Sequence, residues 1–243
     1  MHLAKTVASA LRSSPAHPRR KRDVVSFDDS AAKAAPPQPI PPTLYQTGAS
    51  RKVSRLHYED MMRFRSLNED LSFVFFDDQA MNRYMEDVWA GSAIYEVFDR
   101  AAFPQMKADI FRYCIIFERG GFYCDINKGI FHNLRRLCGE NADFLLSFEN
   151  NETIIYPEES VAAVLEHPTK VVIQWGFGAA PGHRILELVI QAIPVVARSL
   201  SGGGLHSAKD AILMTTGPGV FTRAVREYLQ AGLPETLSQA GID

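Results

Sequence analysis

Residues 107–127 read KADIFRYCIIFERGGFYCDIN, and the parsing of this stretch decides the fold. Met106, Ile110, Cys114 and Phe117 recur at helical spacing, which predicts a helix over 105–119 with an apolar stripe. Gly120-Gly121 ends it, because glycine takes the left-handed C-terminal conformation without steric cost. FYCDI (122–126) then reads as a strand. Side chains alternate along a strand, so Tyr123, Asp125 and Asn127 leave on one side and Phe122, Cys124 and Ile126 on the other. Asp125 and Asn127 therefore emerge together at the strand's end. Two oxygen donors there suit a hard divalent cation, Mn²⁺ or Mg²⁺, carrying phosphates. On the helix before them, Asp109 and Arg112 stand three apart and share a face.

Outward from this stretch, strand-like and helix-like segments alternate. TLYQT (43–47), LSFVFFDD (71–78) and DFLLSFE (143–149) read as strands, the second closing on the carboxylates Asp77 and Asp78. Residues 80–90, 92–100, 184–199 and 220–230 read as helices, with Pro194 expected to kink or break the third. A helical turn is expected over 161–165 and a loop at Gly202-Gly203-Gly204. Such alternation implies an α/β fold, a mostly parallel sheet flanked by helices, with ligands bound beyond the carboxyl ends of the strands.

The chain has 243 residues, 46% of them hydrophobic and 22% charged, enough for one domain with a core and a tail. Residues 1–38 hold seven of the 26 Lys/Arg and three of the 28 Asp/Glu, which leaves 19 basic and 25 acidic residues, a net charge of −6, for the rest. This stretch reads as a disordered basic tail ending in a stiff Pro36-Pro37-Gln38-Pro39 linker, with the domain spanning 39–243. An acidic domain argues against a nucleic-acid partner, since neutralising phosphates needs clustered Lys/Arg. Cys114, Cys124 and Cys138 match no zinc spacing and are too few for a disulfide framework. They read as buried thiols, with a Cys114–Cys138 or Cys124–Cys138 bridge left open. No apolar run is long enough for a membrane span.

The 107–127 stretch strongly resembles the signature of the glycosyltransferases with a DXD sugar-binding region, the yeast Och1-like mannosyltransferase group, in which a helix carrying D-x-x-R runs into GG-x-Y-x-D-x-D. IPPTLYQTG (40–48), FVFFDD (73–78), WGFGAAPGHRIL (175–186) and TTGPGVFTRAV (215–225) resemble further pieces of that family in the same order, so the resemblance covers about 40–230. It implies a GT-A fold, Rossmann-like, and transfer of a hexose with retention from a nucleotide-diphospho-sugar, GDP-mannose or a UDP-hexose, to a glycan, lipid or protein acceptor. By the same resemblance Asp125 serves the donor's sugar–ribose end and, with Asn127, the metal. Asp109 and Arg112 are expected on the donor sugar's hydroxyls. Tyr45, Gln46, Tyr123, Gly120, Gly121, and Asp77 or Asp78 are expected around the donor, with Gly217 approaching phosphate through backbone amides. Glu149, Asn150 and Trp175 are expected on the acceptor or sugar side. Relatives are often Golgi-anchored, and the sequence shows no anchor or signal that would fix a compartment.

Two departures stand out. Asn127 replaces the family's second Asp, which removes one negative charge and should weaken metal binding. The chain also stops soon after its TGP turn, where relatives usually continue with a His- and Trp-containing segment. That leaves a truncated domain, a ligand supplied from elsewhere, or a poor metal site. A non-catalytic nucleotide-sugar binder is the alternative function. A nucleotidyltransferase would want a basic Gly-rich loop that IPPTLYQTG lacks.

Overall fold

The helix and the strand expected on either side of Gly120 are both present, and they form the middle of the molecule. The computed structural model describes residues 24–34, 36–128, 132–152, 170–200, 207–231 and 237–239. Its elements are β1 (Val24–Ser26), β2 (Thr43–Gly48), β3 (Lys52–Ser54), α1 (Arg55–Leu67), β4 (Ser72–Asp77), α2 (Asp78–Trp89), α3 (Ala93–Arg100), α4 (Pro104–Arg119), β5 (Gly121–Cys124), α5 (Leu134–Leu137), β6 (Phe144–Leu146), β7 (Phe148–Glu152), β8 (Lys170–Val172), β9 (Gly176–Ala179), α6 (Arg184–Leu200), α7 (Ala208–Thr215), α8 (Pro218–Gln230) and β10 (Leu237–Gln239).

The main sheet has the order β10-β6-β9-β5-β2-β4. β4 and β5 run parallel to β2, and β10 runs parallel to β6. β9 is antiparallel to both neighbours, β5 and β6. Five of the six strands therefore share one direction, and the mostly parallel α/β sheet holds with β9 as its exception. Two small antiparallel pairs, β1–β3 and β7–β8, flank it.

β5 is buried along its whole length, and its alternation splits the core in two. Tyr123 packs with Ile110, Phe111 and Tyr113 of α4 on one side of the sheet. Phe122 and Cys124 pack with Leu44, Phe64, Phe73 and Leu134 on the other. Residues 109–116 of α4 are all buried, the mark of a helix enclosed by its neighbours rather than lying on a surface. Each large apolar side chain enclosed this way contributes roughly 1.5–3 kcal/mol. Pro104 opens the helix at a position where its missing N–H costs nothing. Gly120 closes it at φ 65°, its amide donating to the Ile116 carbonyl, and Gly121 follows at φ 104°. A Cβ on Gly121 would lie 2.5 Å from the Thr43 carbonyl oxygen, so β5 leaves the helix in close contact with β2.

Several expectations are corrected here. The boundary at residue 38 is too late, because residues 24–34 lie against the domain. β1 pairs with β3, Phe27 is buried, and Ser30 bridges to Phe73. The buried guanidinium of Arg135 also reaches back to the Pro36 carbonyl and the Gln38 side chain. Residues 1–23 of the expected tail, the turn over 161–165 and the glycine loop at 202–204 lie outside the described residues. The strand expected over 143–149 is two strands, split at Ser147. Helix α6 runs through Pro194 instead of breaking. Burial of Val189 and Ile193 on the core face offsets the roughly 3 kcal/mol that an interior proline costs. All three cysteines are free, so neither bridge forms. Among the described residues, no helix is long and apolar enough to cross a membrane.

Candidate functional site

β5 ends at Cys124, and the chain turns at once, the Lys128 amide donating to the Asp125 carbonyl at 3.0 Å. The strand thus ends two residues earlier than FYCDI implies. Asp125 is the first residue past it, with its amide still bonded to the Trp175 carbonyl at 2.8 Å. Asn127 sits in the turn, exposed, and does not continue the alternation.

The Asp125 side chain keeps the face that alternation assigns. Its Oδ1 accepts from the Tyr123 hydroxyl at 3.0 Å and pairs with Arg112 Nη2 at 3.2 Å. The same Arg112 nitrogen lies 3.2 Å from Asp109 Oδ1. Arg112 also donates to the Gln174 carbonyl (2.9 Å) and, one turn back, to the Ala108 carbonyl (3.3 Å). Its guanidinium lies 4.5 Å from the centre of the Tyr123 ring. Asp109 accepts from Gln174 Nε2 at 3.1 Å and from the Thr216 hydroxyl at 3.0 Å. Tyr113 ties the same two partners, its hydroxyl lying 2.8 Å from Gln174 Oε1 and 3.1 Å from the Thr216 carbonyl. Thr47 on β2 donates to the Tyr123 hydroxyl at 3.2 Å.

Exposure separates the roles inside this network. The side chains of Asp109 and Arg112 are each 5% exposed, while that of Asp125 is 28% exposed. Asp125 is the member of the trio that meets solvent, and the other two stand behind it. Burial pushes the Asp109 carboxyl up to about 6, although Arg112, Thr216 and Gln174 all pull it down. Burial also works against the charge on Arg112, but Tyr123, Asp125 and Asp109 outweigh it and raise its pKa. Burial raises the Tyr123 phenol, which keeps it a neutral donor to Asp125. Arg112 is therefore a permanent cation between two carboxylates.

The other expected residues divide. Asp77 and Asp78 sit at the carboxyl end of β4, on the same rim of the sheet as Asp125, with Asp77 capping α2 through Ala80 at 2.8 Å. Gln46 is buried beside β5, donating to the Cys124 carbonyl at 3.4 Å. Trp175 donates its indole N–H to Glu149 at 3.1 Å, and both are half-buried at the rim. The Trp175 ring packs on the Cys124 side of the sheet, not the Arg112 side. Asn150 follows Glu149 on β7.

Tyr45, Gly120 and Gly121 do not join the site. Tyr45 turns toward Arg119 and Glu118 at the C-terminal end of α4, where Gly120 caps the helix and Gly121 starts β5, about 13 Å of strand from Asp125. Gly217 is near, but its amide is spent on the Ile212 carbonyl at 2.8 Å, so it has no free N–H for a phosphate. Sequence reasoning missed Gln174, Thr216 and Thr47. Gln174 carried one signal, as a polar residue closing the apolar run Val171–Ile173 before WGFG.

A cavity of about 20 Å³ beside the rim, lined by Phe122, Leu134, Leu145 and Trp175, has room for about one water. For a divalent cation, the donor set is one carboxylate, already opposed by Arg112, and one amide, Asn127. No group of three His, Cys, Asp or Glu poised for a metal occurs among the described residues. This set fits an ion brought in on a ligand's phosphates and touched by Asp125 and Asn127, and it does not fit a tightly held resident ion.

Comparison with known proteins agrees with this arrangement. Residues 54–144 match the family model described as glycosyltransferase sugar-binding region containing DXD motif. The matched stretch includes α4, β5 and the trio. The initiation-specific alpha-1,6-mannosyltransferase of Schizosaccharomyces pombe is 27% identical over 144 residues, covering 57% of this chain and 35% of that protein. The protein of the same name from Candida albicans is 24% identical over 211 residues, covering 79% of this chain and 54% of that one. The chain thus spans about a third to a half of the length of these curated relatives. Among solved structures, PaToxG Glycosyltransferase superposes with a TM-score of 0.56 at 13% identity, covering 80% of this chain and 72% of that one. That likeness shows the fold, a GT-A-like α/β architecture.

Proposed function

We propose that the chain is a hexosyltransferase that moves a sugar from a nucleotide-diphospho-sugar to a hydroxyl acceptor with retention of anomeric configuration. The observation that carries this reading is Asp125, fixed at the carboxyl end of β5 by Arg112 at 3.2 Å and partly open to solvent. Open α/β sheets bind ligands at this edge. The DXD region matched at 54–144 and the mannosyltransferase names of two relatives support a sugar donor, GDP-mannose first and a UDP-hexose second.

Asp125 accepts from the donor's sugar or ribose hydroxyls. Arg112 and Asp109 hold it in place, so they act as positioning residues, in contrast to the direct sugar contact that family resemblance implies. Asp77 and Asp78, on the same rim, face the nucleoside. Glu149 and Trp175 offer a carboxylate and an aromatic face to the acceptor. Mn²⁺ or Mg²⁺ carried by the diphosphate, touching Asp125 and Asn127, would neutralise the leaving group's charge. In the transfer, the bond from the anomeric carbon to the phosphate oxygen breaks and its electron pair stays on that oxygen. The acceptor oxygen bonds the carbon from the same face and gives its proton to the diphosphate.

The test is release of nucleoside diphosphate from GDP-mannose, UDP-glucose and UDP-galactose, each with and without Mn²⁺. Turnover of one donor, lost in Asp125→Asn, is expected. Failure with all three contradicts the reading. A second reading, a nucleotide-sugar binder without turnover, rests on the exposed amide at Asn127 where the motif has a carboxylate. It requires donor binding with no product, and Asn127→Asp to strengthen Mn²⁺ binding.

A further inference from the structure

Lys128 follows the motif directly and has no part in the reading above. Its backbone is fixed by the bond from its amide to the Asp125 carbonyl, and its ammonium sits 5.4 Å from the centre of the Trp175 ring. Trp175 is in turn anchored by its carbonyl to the Asp125 amide and by its indole to Glu149. The side chain is exposed, held at the rim by a cation–π contact worth about 0.5–1 kcal/mol, weak enough to be exchanged for a better partner. Asn127, where the DXD pattern has its second carboxylate, is neutral, and the residue after it is a cation. Arg112 pairs with both Asp109 and Asp125, Lys128 adds a second cation three residues after Asp125, and Glu149 accepts from the Trp175 indole. A phosphate-bearing ligand arriving beside Asp125 therefore meets no uncompensated negative charge from the trio.

Resting on the glycosyltransferase reading, the geometry points to Lys128 as a diphosphate-binding residue that takes over part of the charge neutralisation a DXD site leaves to its metal. The ammonium leaves the indole face and donates to a diphosphate oxygen as negative charge builds on the leaving group. It reacts with nothing and exchanges no proton. Donor and product binding then depend only weakly on a divalent cation, which accounts for a motif with one carboxylate, Asp125.

The test is calorimetric binding of GDP and UDP to the full chain, in EDTA and in Mn²⁺, for the unmodified protein, Lys128→Met and Lys128→Arg, with the melting temperature of each variant as a folding control. The unmodified chain is expected to bind one of the two in EDTA. Lys128→Met should weaken that binding roughly tenfold or more, the loss of one charge-assisted hydrogen bond, and Lys128→Arg should stay within about threefold. In Mn²⁺ the deficit of Lys128→Met should narrow. Binding that needs Mn²⁺ and is the same in Lys128→Met overturns the role of Lys128 and leaves the glycosyltransferase reading standing. Binding of neither nucleotide in either buffer removes both.

Discussion

Arg112 Nη2 and Asp125 Oδ1 stand 3.2 Å apart, joining a buried helix residue to a carboxylate with 28% of its side chain in solvent. Behind this contact Arg112 is shared with Asp109 and the Gln174 carbonyl, so the rim carboxylate is held by the core of the molecule. The pair makes the α4–β5 unit a single device, and its behaviour can be tested from either end.

Arg112→Met leaves Asp109 buried beside Asp125 with no cation between them. Removing one partner of a buried ion pair costs about 3–5 kcal/mol, so a large drop in melting temperature is expected. Arg112→Lys keeps the charge and loses the fork, so it should stay folded while binding nucleotide sugar more weakly. Calorimetric melting of both, with donor binding for the lysine variant, checks this. A methionine variant as stable as the parent would refute the network.

The pH dependence follows from Asp109, whose carboxyl rises from 3.8 to about 6 on burial. A carboxyl whose folded pKa exceeds its unfolded one binds protons more tightly when folded. Its contribution to stability is full below about pH 4 and is lost as pH rises through about 6. Asp109→Asn lacks this titration, so the stability of the parent relative to the variant should fall between pH 4 and 7. Urea denaturation at several pH values reads it directly, and curves that stay parallel would count against the assignment.

Thr216→Val removes the hydroxyl that donates to Asp109 at 3.0 Å. The buried oxygen left without a partner should cost about 1–3 kcal/mol. That hydrogen bond favours the ionised carboxyl, so its loss should move the Asp109 titration upward from about 6, which NMR of the labelled carboxyl would show.

Gly121→Ala separates a structural glycine from a ligand-binding one. Its φ of 104° and the 2.5 Å approach to the Thr43 oxygen predict a loss of about 1–3 kcal/mol, with donor affinity unchanged in the folded fraction. Unchanged stability with weakened donor binding would place the glycine in the site after all.

Much of the centre was legible because its signals are local. The α4 stripe, the Gly120-Gly121 stop and the alternation of Tyr123 and Asp125 all lie within twenty-one residues, and the trio they predict comes together. The pairing of Gln174 and Thr216 with Asp109 was illegible because those bonds span 65 and 107 residues, and no period in the sequence reports such pairs. Tyr45 was misplaced for a related reason. Belonging to the right strand does not say toward which end of the sheet a long side chain leans, and this one leans toward Arg119. Asn127 was assigned by extending the strand two residues too far, past the point where the Lys128–Asp125 bond closes a turn.

The central claim is that the open face of Asp125, held by Arg112, receives a nucleotide sugar. Its most direct test is a thermal-shift titration of the parent chain and Asp125→Asn with GDP-mannose, UDP-glucose and UDP-galactose, since a ligand that binds only the folded state raises the melting temperature by mass action. The account predicts a concentration-dependent rise with at least one donor in the parent and none in the variant. No rise with any donor, or equal rises in both proteins, would contradict it.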